Sequence, residues 1–377
     1  LWVGDVFDAT LNRNYGFNFP NIDVSSTMSI KTSVLGYTPD PNSTTFTVSA
    51  GSLGSTSIPI PGIFVGSHSY LAAQRSKTFS FSPTSSSISV NLSFSRVSGV
   101  EGVGYLNYIE LNCKRLLNMS GNQMEFRDIN SVSSGAVSNF TLLFGTDVNT
   151  IWDITNPTEI SNVNYSKTGG TINFKQETDS LRTFVAFKSN GFLAPQFVEK
   201  VENQNLHGQA TPDMLVVYHP LFENQVDQLV QFHENNGLTV LKASVQEIFN
   251  EFSGGQQDIS AIKTFVKMHY DRGGSSQLKY LLLFGDGTFD YKSRVLPNHN
   301  FVPLWESPAS LSDVTSYTTD DFYALLDDGE SMGDYEMMDV AVGRLTVTTQ
   351  SQAQNVVNKI IDYQKIGSAS NTANCNA

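Results

Sequence analysis

The stretch Tyr280–Lys292, "YLLLFGDGTFDYK", decides how the second half of this chain folds. Tyr280 to Phe284 is an unbroken apolar run of strand length, the pattern of a strand buried on both faces. Gly285 and Gly287 break the run and leave Asp286 where such a strand exits its sheet. Ligands and catalytic groups collect at that edge of an α/β sheet. A phosphate loop would need Gly-x4-Gly-Lys-Ser/Thr, and a dinucleotide site Gly-x-Gly-x-x-Gly opening a helix. The stretch supplies neither, and Asp286 would repel phosphate. A phosphoacceptor role lacks the paired acidic residues that it needs early in the domain. The plain expectation for Asp286 is a polar strand end that bonds neighbouring loops.

Outward from this strand the grammar is that of alternating strands and helices. "DMLVVYH" (Asp213–His219) is a short apolar strand, and "ENQVDQLVQFHENNG" (Glu223–Gly237) has helical spacing at Val226, Leu229, Val230 and Phe232/His233, with Gly237 as its stop. "LTVLKA" is the next strand. "DISAIKTFVKMHYDRGG" (Asp258–Gly274) is a helix with Asp258 as N-cap and the two glycines as its end. Beyond the quoted stretch, "MMDVAVGRL" (Met337–Leu345) is a strand and "SQAQNVVNKIIDYQK" (Ser351–Lys365) a helix. This alternation implies a parallel sheet with right-handed crossovers.

Residues 1–195 read differently. Polar and apolar residues alternate in "TTFTVSA" (Thr44–Ala50), "KTFSFSP" (Lys77–Pro83) and "SISVNLSFSRV" (Ser87–Val97). "NFTLLFG" (Asn139–Gly145) and "LRTFVAFK" (Leu181–Lys188) continue the style. The joins are rich in Gly, Ser, Asn and Pro, as turns demand. The expected fold class is α+β and multidomain: an all-β region at 1–195 built as one or two sandwiches or jelly rolls, an α/β domain over 196–366, and an irregular tail over 367–377.

The chain has 377 residues, 40% hydrophobic and 16% charged, enough to fill more than one core. Lys and Arg number 23 against 36 Asp and Glu, a net charge of −13, which argues against nucleic acid as a partner. No apolar run reaches the length of a transmembrane helix. The opening "LWVGDVFD" has neither Met nor a leader and reads as a mature or excised segment.

The chemical candidates are few. Cys113 and Cys375 are far apart and belong to no metal or disulfide pattern. Cys113, in "IELNCKRLL", reads as a core or half-buried residue, and neither thiol follows a strand of the parallel sheet. There is no Gly-x-Ser-x-Gly elbow. His68, His207, His219, His233, His269 and His299 show no ligand spacing. His233 and His269 fall on helices and cover the core, while His219 stands directly after a strand. The acidic stretch Thr318–Asp339 reads as a solvated hairpin loop, its spacing unlike that of an EF-hand. Within it, the adjacent Asp320 and Asp321, placed before an aromatic strand start, could polarise a catalytic histidine.

Several phrases resemble the gingipain-like cysteine peptidases, in particular their type IX secretion sortase branch: "VENQNLHGQATPDMLVVYHP" (Val201–Pro220), "IFNEFSGGQQDISAIKTFVKMHYDR" (Ile248–Arg272), "YLLLFGDGTFDYK", "YTTDDFYALLDD" (Tyr317–Asp328) and "VAVGRLTVTTQSQAQNVVNKIIDYQ" (Val340–Gln364). The opening "LWVGDVFD…YGFNFPNID" is similar to the β-rich region that precedes the protease domain in that branch. The resemblance implies a caspase-like α/β domain, truncated here. The catalytic His and Cys would follow two later strands, beyond Gly343-Arg344 and the helix Ser351–Lys365, so the fragment itself would be inactive. It implies Asp320, in "TDD" (Thr319–Asp321), as the acidic partner of that His, and it sets Glu330 near the loop shaping the specificity pocket. Asp286 would shape the rim.

The implied activity is a cell-surface cysteine endopeptidase of the type IX secretion system, attached to the outer membrane. It would remove the C-terminal signal of secreted cargo and pass the cargo to an amine of lipopolysaccharide. Its partners would be the outer-membrane barrel PorV, the cargo and the acceptor. The chemistry would need no cofactor, although relatives bind structural Ca²⁺. Two other readings stand beside it: a non-catalytic docking module for the barrel or cargo, and a carbohydrate-binding sandwich fused to an α/β domain.

Overall fold

The computed structural model describes residues 3–39, 43–63, 71–96, 99, 102–273, 277–295, 297–312, 314–333 and 336–369, with the backbone alone at 364–369. His68 and Cys375 lie outside the described residues. The chain divides into two compact units, residues 1–199 with 311–313, and residues 200–310 with 314–377.

The first unit is all-β and holds two sandwiches. In the first, one antiparallel sheet runs in the order Val6–Phe7, Val103–Asn112, Met28–Tyr37, Ala73–Phe81, and the other in the order Asn12–Asn18, Ser87–Ser95, Thr44–Ser49, Ser55–Ile60. The alternation in the sequence is the cause. In Ser87–Ser95, Ile88, Val90, Leu92 and Phe94 point inward while their neighbours face out. Phe46 is central, its ring 5.2 Å from Phe7 and 4.6 Å from Phe94. The second sandwich packs Val137–Leu142, Thr171–Glu177, Ser166–Thr168 against Ser161–Asn162, Val148–Asp153, Phe184–Lys188, Gln123–Phe126. Phe140, Phe174 and Phe184 fill its core with ring centroids 5.1 Å apart. "LRTFVAFK" does not alternate, because Phe184 to Phe187 are buried on both faces.

The second unit is a four-stranded parallel sheet. Its strands are β1 (Met214–Tyr218), β2 (Val240–Ser244), β3 (Tyr280–Phe284) and β4 (Ala341–Leu345), in the spatial order β2-β1-β3-β4. Helices α1 (Glu223–Asn235) and α4 (Gln350–Ala369) cover one face, where Val226, Leu229 and Val357 meet Val216 and Phe284. Helices α2 (Val245–Phe252) and α3 (Ile259–Gly273) cover the other, where Ile248, Phe249, Ile262 and Phe265 meet Leu215, Val217 and Leu283. Asp258 caps α3 by accepting from the Ser260 N–H at 2.7 Å.

Three expectations change. Strand β4 begins at Ala341 rather than Met337, because Asp339 turns to the preceding loop: its carboxylate accepts from the Leu326 N–H and the Tyr270 hydroxyl. Phe322 and Tyr323 lie in a 3-10 turn, Asp321–Tyr323, and not at a strand start; Tyr323 to Leu326 are buried, so the acidic stretch is not one solvated loop. Helix α4 runs to Ala369, past the expected tail boundary at 367, since no proline stops it and one glycine costs only about 1 kcal/mol. Helix α2 is an addition that the sequence signalled: Ser244 and Glu247 form a reciprocal capping box.

Two consequences can be measured. A Cβ at Gly104 would stand 2.4 Å from the Phe46 ring, so Gly104→Ala should destabilise the chain by about 2 kcal/mol in urea unfolding. His269 is fully buried against Phe265 and neither ring nitrogen has a partner. Burial, helped by Arg272, lowers its pKa to about 4. The unfolded chain therefore takes up the proton first, and stability should fall as pH drops from about 6.5 to about 4, by up to about 3 kcal/mol. His269→Leu should remove that part of the acid sensitivity; an unchanged slope would refute the assignment.

Candidate functional site

Because the four strands are parallel and in register, Tyr218, Ser244, Phe284 and Leu345 end at one level and define the carboxyl edge of the sheet. Strand β3 leaves it through Gly285, whose φ of +142° and whose place 2.9 Å (as a Cβ) from the Phe301 side chain both demand glycine. A Cβ on Gly287 would meet the Val302 carbonyl at 2.8 Å. Between them Asp286 works through its main chain: its N–H donates to the Val347 carbonyl, and its carbonyl accepts from Phe301 and Val302. That is scaffold.

Arg344 on β4 organises this edge. Its guanidinium donates to the Gly285 carbonyl at 2.9 Å, to Val302 at 2.7 Å and to Pro303 at 3.4 Å. It also pairs both oxygens of Asp320, at 2.7 and 2.8 Å. The Arg344 side chain is only 7% exposed and that of Asp320 22%. Tyr323, fully buried, donates to the Pro303 carbonyl at 2.6 Å. Asp320 is thus drawn to the Arg344 guanidinium at this edge, and the structure shows its carboxylate engaged by an arginine.

His219 follows β1 at the same edge. Its main-chain N–H donates to the Phe284 carbonyl, and its Nδ1 accepts from the Leu221 N–H at 3.2 Å, so the neutral ring carries its proton on Nε2. The ring packs 4.8 Å from Phe301, and burial lowers its pKa. His299 stacks on Phe301 at 5.8 Å. Next to them Asp290 is buried. Burial opposes its charge, but N–H donors from Val295, Arg294 and Asn298 prevail and hold the carboxyl below the usual range.

The remaining candidates lie elsewhere. Cys113 belongs to the first unit, and burial pushes its thiol up. His233 is on α1. Glu330 accepts from the Asp327 N–H, and burial with the nearby Asp339, Asp327 and Glu336 raises its pKa. His207 pairs with Glu251 at 2.6 Å at the far end of α2, which starts at the carboxyl edge and runs away from it. Glu251 also accepts from the Leu206 and His207 main chain; these bonds outweigh burial and bring its pKa to about 2. Among the described residues no three His, Cys, Asp or Glu are placed together to hold a metal ion. Nor is any described helix long and apolar enough to cross a membrane.

Sequence reasoning passed over Arg344 as a landmark. The signal was there: an arginine inside an apolar strand must find partners for its charge. Arg344→Met should cost about 3 kcal/mol or more, since it leaves Asp320 and three carbonyls unpaired, and Arg344→Lys should recover only part, lacking the planar fork. Urea unfolding measures both; a loss under about 1 kcal/mol for the methionine variant would contradict this account.

Residues 207–376 match the family model for peptidase family C25. The crystal structure of dimeric latent PorU from Porphyromonas gingivalis superimposes with a TM-score of 0.80 at 24% identity, covering 96% of this chain and 36% of that one. A structure described as that of a protease covers 41% of this chain and 28% of its own, at 20% identity and a TM-score of 0.29. No curated protein matches. The chain thus spans about a third of the PorU chain that it resembles. Its α/β unit matches peptidase family C25, the gingipain family, and the chain as a whole shares the fold of latent PorU.

Proposed function

We propose that this chain is part of a PorU-like cysteine peptidase, with substrate bound across the carboxyl edge of the parallel sheet. The family match over 207–376 carries the reading. The edge itself supports it: Arg344 on β4 and the two glycines hold the exit of β3 in place, which is the rigidity that a peptide-cleaving site needs. Peptide cleavage calls for a thiolate, an imidazole base and donors for the oxyanion. The nucleophile and base are proposed to lie outside this chain; among the described residues Cys113 is in the other unit with a raised thiol.

Asp320, clamped by Arg344, would serve as acidic partner only through its remaining lone pairs, and we assign it first to holding the edge. The biological role in this proposal is that of a type IX secretion sortase at the outer-membrane surface. It removes the C-terminal signal of cargo, docks on a PorV-type barrel and transfers cargo to a lipopolysaccharide amine, by thiol chemistry without a cofactor. The alternative, a non-catalytic docking module, is favoured for the chain alone by the lack of a paired thiol and imidazole among the described residues.

A thiol-directed peptidyl probe separates the two. The longer protein that contains this chain should gain one adduct by intact mass, and Cys113→Ser should leave that adduct in place. An adduct that disappears with Cys113, or none at all, would favour the docking reading.

A further inference from the structure

Three aromatic rings touch on the outside of the second sandwich. Ile151, Ala186 and Met124 face its core, so the residues next to them in each strand stand on the outer face of the same sheet. There Phe187 stacks on Phe192, with ring centroids 5.3 Å apart and planes 16° from parallel. The Trp152 indole meets Phe187 edge-on at 4.8 Å and lies 6.5 Å from Phe192. Phe187 is buried, whereas Phe192 remains 52% exposed and Trp152 is half-buried. Single exposed apolar side chains are ordinary, but rings in mutual contact form a platform.

The register sets polar groups at both ends of that platform. Asn162, Trp152, Val185 and Glu125 lie side by side on neighbouring strands, a row about 14 Å long at the usual strand spacing. Thr150, Phe187 and Gln123 form the next row on the same face. Asn162, Glu125 and Gln123 are exposed and Thr150 is half-buried. Neither these polar side chains nor the Trp152 indole N–H makes a hydrogen bond among the described residues. Within the two rows only Glu125 is charged.

We propose that this outer face binds a neutral oligosaccharide, its sugar rings laid against Trp152 and Phe192 and its hydroxyls bonded by Asn162, Thr150, Gln123 and Glu125. A pyranose ring has both characters that the face offers. Its C–H groups pack on aromatic rings, and its hydroxyls, each a donor and an acceptor, need polar partners around the rim. Amides and hydroxyls serve both roles. The Glu125 carboxylate accepts from sugar hydroxyls but repels the carboxylates and phosphates of anionic glycans. The rings already hold one another, so little ordering entropy is lost on binding. This site goes beyond the peptidase reading and does not depend on it.

Isothermal titration calorimetry of the 377-residue chain with cellohexaose, xylohexaose, mannohexaose and maltohexaose tests it, beside hexagalacturonate and hexaproline. At least one neutral sugar should bind saturably, and hexagalacturonate roughly tenfold more weakly. Trp152→Ala and Phe192→Ser should each weaken the neutral sugar about tenfold, while Trp152→Phe keeps most of the affinity. Glu125→Gln should narrow the gap to the anionic sugar. No binding of any neutral sugar overturns the proposal, and so does hexagalacturonate binding as tightly as the neutral sugar. Undiminished binding by Phe192→Ser overturns it too, and that side chain is exposed enough to change without unfolding the sheet. Hexaproline binding more tightly than every sugar would mark the platform as a peptide site and equally refute the assignment. The thiol-probe result bears on none of these outcomes.

Discussion

The candidate site depends on one buried cation. Arg344 enters the edge from β4 and spends its five N–H groups on two carbonyls of loop 301–303, on the exit of β3 and on both oxygens of Asp320. Burying a guanidinium is costly unless every donor is met and the charge is balanced. Here both conditions hold, and satisfying them requires three segments distant in sequence, around Gly285, Val302 and Asp320, to converge. The same requirement makes the two glycines necessary, because the converging segment leaves no room for a Cβ at Gly285 or Gly287.

The architecture beneath that edge follows from simple patterning. Alternation at period two yields the sandwiches, and a fully apolar strand such as Tyr280–Phe284 calls for cover on both faces, which α1 with α4 and α2 with α3 provide. The strands β1 to β3, helices α1 and α3 and the Asp258 cap were legible because each rests on local chemistry. Where reading failed, a distant partner had intervened. Asp339 bonds Leu326 and Tyr270 and delays β4; Tyr323 is drawn under Pro303 and becomes core instead of strand.

The site was legible in outline only. The exit of β3 announced itself through Gly-Asp-Gly, and Asp320 was picked out as an acid, but its partner lies 24 positions away on another strand. No local rule predicts that pairing, although the burial cost of an arginine within "VAVGRL" poses the question. Likewise His219 is visible as a residue after a strand, while its packing on Phe301 beside His299 depends on how loop 285–303 folds back.

The withdrawal of Arg344 from solvent has a consequence for where such a surface can work. Ion pairs at the periphery, such as Lys242 with Glu223 and Asp227 beside β2, are bathed in mobile counterions and weaken as salt rises. The pair of Arg344 with Asp320 is shielded from that atmosphere by the protein itself. The carboxyl edge should therefore depend far less on ionic strength than those peripheral contacts do.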